Sequence, residues 1–139
     1  MVIPFNKIDK IKTIQGKGLV KMELKNVTFA NKTGIITGAA QGIGKAIAAQ
    51  FVEMGGKAGI VDINAETAAQ TCKELGNAVY YTVDLSDGDE VVRVFEQIAA
   101  EQGRIDVLIN NAGFVNTDDF ATLEREKCDK VLAVDLTAV

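Results

Sequence analysis

A glycine-rich segment, Thr37 to Gly44 (T-G-A-A-Q-G-I-G), carries the residues best suited to chemistry in this sequence. It follows an apolar run and precedes a helical pattern that begins at Ile43. A glycine-rich turn between a strand and a helix leaves backbone N–H groups exposed at the positive end of the helix, where a phosphate can approach closely. The segment therefore predicts a phosphate-binding turn.

A carboxylate closes the next apolar run along the chain. Asp62 follows the small and branched side chains of Ala58 to Val61. At the end of a strand beside such a turn, a carboxylate accepts hydrogen bonds from both ribose hydroxyls of an adenosine and repels a 2′-phosphate. The alternative is a helix-entry aspartate beside Asn64, because Asp favours helix starts.

The composition limits the functions that are open to the chain. Of its 139 residues, 47% are hydrophobic and 24% charged, as in an ordinary globular domain. The net charge of −4 argues against nucleic acid as the main partner, and the absence of histidine removes the usual zinc sites and His-based triads. No apolar run approaches the roughly 20 residues that span a bilayer. We therefore expect no metal site, no nucleic-acid partner and no membrane contact.

Two features bear on the compartment. Residues 1–30 form a predicted N-terminal arm or extension that is rich in lysine and lacks the cleavage site of a secretory signal, which leaves a mitochondrial transit peptide as the minor alternative. Cys72 and Cys128 lack the spacing of a disulfide framework and both occupy core-like helix positions. They favour reduced, inert thiols in the cytoplasm.

From residue 33 onward the pattern alternates between strand and helix. Four short β-branched runs predict strands buried on both faces: Thr33–Thr37, Lys57–Val61, Ala78–Val83 and Ile105–Asn110. Amphipathic segments lie between them; the apolar stripe of the first contains Ile43, Ile47, Phe51 and Met54. This rhythm predicts right-handed βαβ crossovers and a parallel sheet covered by helices. Asn64 and Ser86 are the predicted N-caps of the second and third helices.

The last segment, residues 123–139, places a carboxylate on an apolar helix face. Asp135 lies on the same side as Cys128, Val131, Leu132 and Val139. A buried carboxylate is costly unless it is paired, hydrogen-bonded or needed. Two interpretations stay open: a partly exposed or capped aspartate near the end of the chain, or a site residue.

Three motifs in order resemble those of the classical short-chain dehydrogenase/reductase family. They are T-G-A-A-Q-G-I-G at 37–44, D-L at 84–85 and N-N-A-G at 110–113, and the resemblance covers residues 22–139. It implies an α/β fold, a Rossmann-type three-layer sandwich with a doubly wound parallel sheet, truncated after about four strands. Residues 31–139 would then be an NAD-binding domain that is incomplete at its C-terminus. The implied reaction is hydride transfer between NAD and a secondary alcohol or ketone.

The resemblance assigns a cofactor role to individual residues. Asp62 resembles the ribose ligand, while Gln41 and Ile63 supply no basic group for a 2′-phosphate, which favours NAD over NADP. Asn110 resembles a structural clamp between strands. The other implied cofactor contacts are the pyrophosphate turn with Gly38, Gly42, Ile43 and Gly44, the adenine neighbours Asp84 and Leu85, and the segment Asn111, Ala112 and Gly113.

The departures from the family pattern concern catalysis. Asp135 stands where the family has its active-site Asn, and the Y-x-x-x-K pair is missing, since Tyr80 and Tyr81 are followed four residues later by Asp84 and Leu85. Reduction of a carbonyl needs a proton donor for the nascent alkoxide. We therefore expect a cofactor-binding half that is inactive alone; the alternative is a non-catalytic NAD(H)-binding module or a regulatory partner of a full-length relative. The apolar run Val107 to Ile109 would form an open edge strand, which predicts a homo-oligomer.

Overall fold

A computed structural model describes residues 11–15, 18–22, 28–115, 117, 119, 121 and 123–138. Its strands are β1 (Ile11–Gln15), β2 (Gly18–Met22), β3 (Thr33–Thr37), β4 (Lys57–Asp62), β5 (Ala78–Thr82) and β6 (Val107–Ile109). Its helices are α1 (Gly42–Glu53), α2 (Ala65–Leu75), α3 (Gly88–Gln102) and α4 (Arg125–Leu132), and α4 runs on into a π-helical turn, Ala133–Thr137.

The predicted parallel sheet is confirmed. Its strand order is β5-β4-β3-β6, and every neighbouring pair is parallel. Successive residues of β3 enter opposite layers: Ile36 packs in a cluster with Ala48 of α1 and Ala68 of α2, whereas Ile35 packs in a cluster with Ile98 of α3. Both isoleucines are fully buried, which explains why the strand contains no charged residue on either face. The result is a three-layer, doubly wound α/β sandwich.

The edge strand β6 is shorter than the predicted run Ile105–Asn110. Asp106, which the prediction placed in the strand, lies just before it and acts as a clamp, hydrogen-bonded to Thr33 at the start of β3. Its side chain, 7% exposed, accepts a hydrogen bond from the Thr33 backbone N–H at 2.9 Å and pairs with Lys32 and Arg104. Its own backbone N–H donates to the Thr33 carbonyl at 2.9 Å. These bonds lower the pKa of Asp106, with the Thr33 N–H as the largest cause. The clamp fixes the start of β6 against the start of β3.

One predicted helix cap is confirmed and the other is wrong. The Asn64 side chain accepts from the Thr67 N–H at 3.0 Å, as an N-cap should. The third helix is capped by Asp87, which accepts from the N–H groups of residues 89 and 90. Ser86 lies one residue before this N-cap position, and its hydroxyl donates to the Asp84 carboxylate at 2.6 Å.

Several surface predictions are corrected. Ile43, placed on the buried stripe of the first helix, is 75% exposed. Cys72 is buried, but Cys128 is exposed. Val139 lies outside the described residues. In the N-terminal arm, for which the sequence indicated no element, β1 and β2 pair as an antiparallel two-stranded sheet. No helix in the described part of the chain is both long and apolar enough to cross a membrane.

Candidate cofactor site

A cavity of about 420 Å³ opens at the carboxyl end of the parallel strands. Here β3 is followed along the chain by β4 on one side, while β6, which the chain reaches from β5, pairs on the other side. This is the switch point at which open α/β sheets bind ligands. Its volume is in the range of small-molecule sites. Nine predicted cofactor contacts line it: Gly38, Gln41, Asp62, Ile63, Asp84, Leu85, Asn111, Ala112 and Gly113. The sequence therefore located residues that the fold brings together.

The other three predicted contacts, Gly42, Ile43 and Gly44, form the first turn of α1. Gln41 stands at the N-cap without making a side-chain cap hydrogen bond, and the first turn contains no acidic residue. The first N–H groups of the helix therefore lack a side-chain acceptor and carry its positive end. This is the local chemistry that a phosphate needs.

Two positions of this turn, 42 and 44, require glycine for different structural reasons. Gly42 has φ +60°, and no described heavy atom lies within 4 Å of where its Cβ would stand, so its open side is free for a ligand. A Cβ on Gly44 would instead lie 2.5 Å from the Gly38 carbonyl oxygen and 2.6 Å from Asn111 Nδ2. Gly44 therefore lets α1 pack directly on the loop that follows β3.

Asp62 ends β4 with its carboxylate in the cavity wall. Its Oδ2 accepts from the Ala40 N–H at 2.9 Å, and its Oδ1 accepts from the Asn64 N–H at 3.0 Å. The first bond ties the strand end to the glycine-rich turn, and the second leads into α2. Because each oxygen has more than one acceptor site, the carboxylate can still accept hydroxyl donors from a ligand.

Asp84 lies on the same wall, just after β5. Its Oδ1 accepts from the Ser86 hydroxyl and from the Ser86 N–H at 2.9 Å. These two bonds lower the pKa of Asp84 most, and the charge of Lys130 lowers it further. Asp84 is therefore a carboxylate at neutral pH.

Asn111 is the clamp between strands, a role that the sequence analysis gave to Asn110. The Asn111 side-chain amide donates to the Thr37 carbonyl at 2.9 Å and to the Gly38 carbonyl at 3.2 Å. The Thr37 hydroxyl accepts in turn from the backbone N–H groups of Asn111 and Ala112, at 3.0 Å each. Asn110 is exposed. The clamp holds the segment after β6 against the glycine-rich turn and so fixes the floor of the cavity.

Asp135 is exposed and lies in the π-helical turn that follows α4. Its Oδ1 accepts from the Phe114 N–H at 2.8 Å. The bond fastens the end of the N-N-A-G segment to the turn after α4, as the capped-aspartate interpretation expected. Asp135 does not line the cavity, and its catalytic role stays a prediction.

Four residues that the sequence did not predict also line the cavity: Val83, Phe114, Lys130 and Val134. Val83 directly precedes the predicted contact Asp84, and Phe114 directly follows the predicted contact Gly113. Their proximity in sequence could therefore have identified them. Lys130 and Val134 are four residues apart, on α4 and the turn that continues it, and only the fold brings them to the cavity. Across the described residues, no cluster of three or more metal-ligating side chains is present.

The parallel sheet with a glycine-rich turn at its switch point defines the Rossmann-type class of α/β proteins. Comparison with known proteins narrows the class, since the short chain dehydrogenase family model matches residues 32–139. The chain belongs to the short-chain dehydrogenase/reductase family.

Individual relatives agree with this family. The short chain dehydrogenase/reductase dpchG of Colletotrichum higginsianum is 39% identical over 125 residues, which are 86% of this chain and 47% of that protein. An NADH complex of 3-ketoacyl-(acyl-carrier-protein) reductase from Brucella melitensis superposes with a TM-score of 0.76 at 28% identity, covering 80% of this chain and 46% of the other. A metagenomic short-chain oxidoreductase in complex with NADP gives 0.75 at 29% identity, covering 79% and 52%. This chain spans less than half the length of several curated relatives that it matches.

Proposed function

We propose that this chain is the cofactor-binding part of an NAD-dependent oxidoreductase that transfers hydride between NAD and a secondary alcohol or ketone. Family membership supports the oxidoreductase class, and the structural neighbours bind NADH and NADP. Bound NAD supplies the hydride acceptor. The residues of this chain supply the binding: α1 meets the pyrophosphate, Asp62 the adenosine ribose, and Asp84 with Leu85 the adenine.

The observation that carries the choice of NAD is the position of Asp62. Its carboxylate lines the cavity between the glycine-rich turn and Ile63, and the side chain of Ile63 is 60% exposed and uncharged. A ribose hydroxyl can donate to this carboxylate, whereas a 2′-phosphate would meet it as a like charge. Neither Gln41 nor Ile63 brings a basic group to the cavity, and Lys130 on α4 is the one basic side chain among the described residues that line it.

In our proposal this chain alone binds the cofactor but does not catalyse hydride transfer. Tyr81 is buried away from the cavity, where its hydroxyl donates to Glu101 and accepts from Gln102. Tyr80 does not line the cavity either. Neither tyrosine is placed to protonate an alkoxide beside a bound cofactor, so we expect NADH binding without turnover by the 139-residue chain.

The test reverses the side-chain charge at positions 62 and 63, where the adenosine ribose is proposed to bind. In Asp62→Ala/Ile63→Arg, a basic group replaces the carboxylate, and the control Asp89→Ala/Val92→Arg makes the same charge change on the exposed surface of α3. By calorimetry, the wild type should bind NADH at least about tenfold more tightly than NADPH, which corresponds to about 1.4 kcal/mol. The cavity variant should reverse the preference, and the control should keep it. A wild-type protein that binds both cofactors equally well would refute the assignment of Asp62.

Two further proposals concern assembly and compartment. The open edge strand β6 is apolar on both faces. On one face lies an apolar groove between α1 and β6, lined by residues such as Ile47, Met54 and Ile109, and the half-exposed Leu108 points to the other face. This surface supports a homo-oligomer, because open apolar strand edges favour pairing. The two free cysteines support a reducing compartment such as the cytoplasm.

A further inference from the structure

We propose that Lys130 determines the affinity of the cavity for the adenine half of the cofactor, with its ammonium group lying against the bound purine. This inference rests on the proposed function, because it takes the cavity to be the dinucleotide site. It adds a binding residue that lies on α4, away from the three motifs that the family resemblance uses.

The first observation is charge. Among the described residues that line the cavity, two are carboxylates, Asp62 and Asp84, and one is a cation, Lys130. A dinucleotide brings further negative charge through its pyrophosphate. A cation in the wall offsets the repulsion that the carboxylates would otherwise exert on such a ligand.

The second observation places Lys130 at one end of the cavity. Its positive charge acts on Asp84, which follows β5 and lies beside Leu85. These two residues form the wall assigned to adenine. The lysine therefore faces the purine end, and the uncapped N-terminus of α1 serves the phosphates.

The third observation is an aromatic neighbour. The Lys130 Nζ lies 5.7 Å from the centroid of the Phe114 ring, within cation–π distance. Phe114 is itself held by its N–H bond to Asp135. The ammonium group is thus already oriented by one π-system in the cavity wall. A purine entering beside it presents a second π-face and ring nitrogens that can accept a hydrogen bond.

The test uses the two halves of the cofactor as separate ligands. AMP and reduced nicotinamide mononucleotide each carry one phosphate, so a general charge effect changes both alike, whereas contact with the purine changes only AMP. The variant Lys130→Met keeps the apolar stem and removes the charge. The matched control, Lys127→Met, lies on the same helix and outside the cavity wall.

We expect Lys130→Met to weaken binding of NADH and AMP by roughly fivefold to thirtyfold, as the loss of a cation–π contact implies. The nicotinamide mononucleotide should bind within about twofold of the wild type, and Lys127→Met should bind all three ligands normally. Unchanged NADH affinity in Lys130→Met, or an equal loss for both halves, would overturn the role of Lys130 while leaving the proposed function intact. Absence of NADH binding by the wild type would overturn both.

Discussion

Replacing Gly44 by alanine tests whether the glycine-rich turn is packed as the structure has it. The added Cβ would lie 2.5 Å from the Gly38 carbonyl oxygen, 2.6 Å from Asn111 Nδ2 and 2.8 Å from Ala39 Cα. Two of these three atoms are backbone, so the helix or the loop must shift. Overpacking costs about 1–3 kcal/mol, and contact with two backbone atoms places Gly44→Ala at the upper end, about 3 kcal/mol. The gain in helix propensity offsets about 1 kcal/mol of this. We expect a net loss of about 2 kcal/mol in the free energy of unfolding.

Gly42→Ala is the matched comparison two residues earlier. No described atom lies within 4 Å of the added Cβ, so the cost is that of holding alanine at φ +60°, about 1–2 kcal/mol. Its Cβ would instead stand where the phosphate approaches. We therefore expect Gly42→Ala to lose more than about tenfold in NADH affinity while it stays folded, whereas Gly44→Ala should be the less stable of the two.

Urea unfolding of both variants, with m compared to the wild type, measures the stability difference, and calorimetry at a temperature where all three proteins are folded measures binding. A Gly44→Ala protein within about 0.5 kcal/mol of the wild type would refute the packing argument, because ordinary surface substitutions fall in that range.

Three further predictions concern the supports of the site. Thr37→Val should lower the free energy of unfolding by about 2–4 kcal/mol, since two backbone N–H groups lose their acceptor; Thr71→Val, which removes a single bond to a carbonyl, should lose less in the same urea titration, and an equal loss would contradict the clamp. Asp106→Asn should unfold at a lower temperature than the wild type at pH 7, and this difference should disappear as the pH falls below about 4. The reason is that the folded state lowers the pKa of Asp106, so its carboxylate stabilises the fold at pH values above the unfolded-state pKa, and protonation in acid removes that stability. A difference in unfolding temperature that does not depend on pH would rule this out. At pH 7.5 a thiol reagent should modify Cys128 quickly and Cys72 only after unfolding, since burial raises the pKa of Cys72 to about 11, and rapid modification of both in native protein would contradict the fold.

The sequence predicted the sheet through its two central strands, β3 and β4, which are buried on both faces. The outer strands β5 and β6 were also expected to be buried on both faces, and this was wrong, because each has neighbours on one side only and is partly exposed. Thr33–Thr37 contains no charged residue and is buried along its whole length, and few structures other than a central strand fit such a run where helices alternate with it. The Asn64 cap was predictable for a similar reason, since the side chain bonds to a backbone N–H only three residues away. Local chemistry of this kind is fully contained in the sequence.

The errors came from contacts between distant segments. The spacing of Ile43 with Phe51 shows that they share a helix face, but it does not show which part of that face another element covers. Ser86 is the exception, a local error: α3 begins at Gly88, so Asp87 and not Ser86 takes the N-cap position. Asn110 and Asn111 are the same residue type at adjacent positions, and only the approach of Thr37 decides which one clamps. The cavity position of Lys130 likewise depends on where α4 lies in the fold, which no local pattern shows.

The central claim is that the cavity at the carboxyl end of the strands binds the dinucleotide. The most direct test is a titration of ¹⁵N-labelled wild-type chain with NADH, followed by the backbone amide signals in NMR spectra. The account predicts the largest shifts at the first turn of α1, residues 42–44, and in the Asn111–Gly113 segment, with little change at Met54 and Val107 in the apolar groove. Saturable shifts confined to that groove, or no shifts at all, would contradict it.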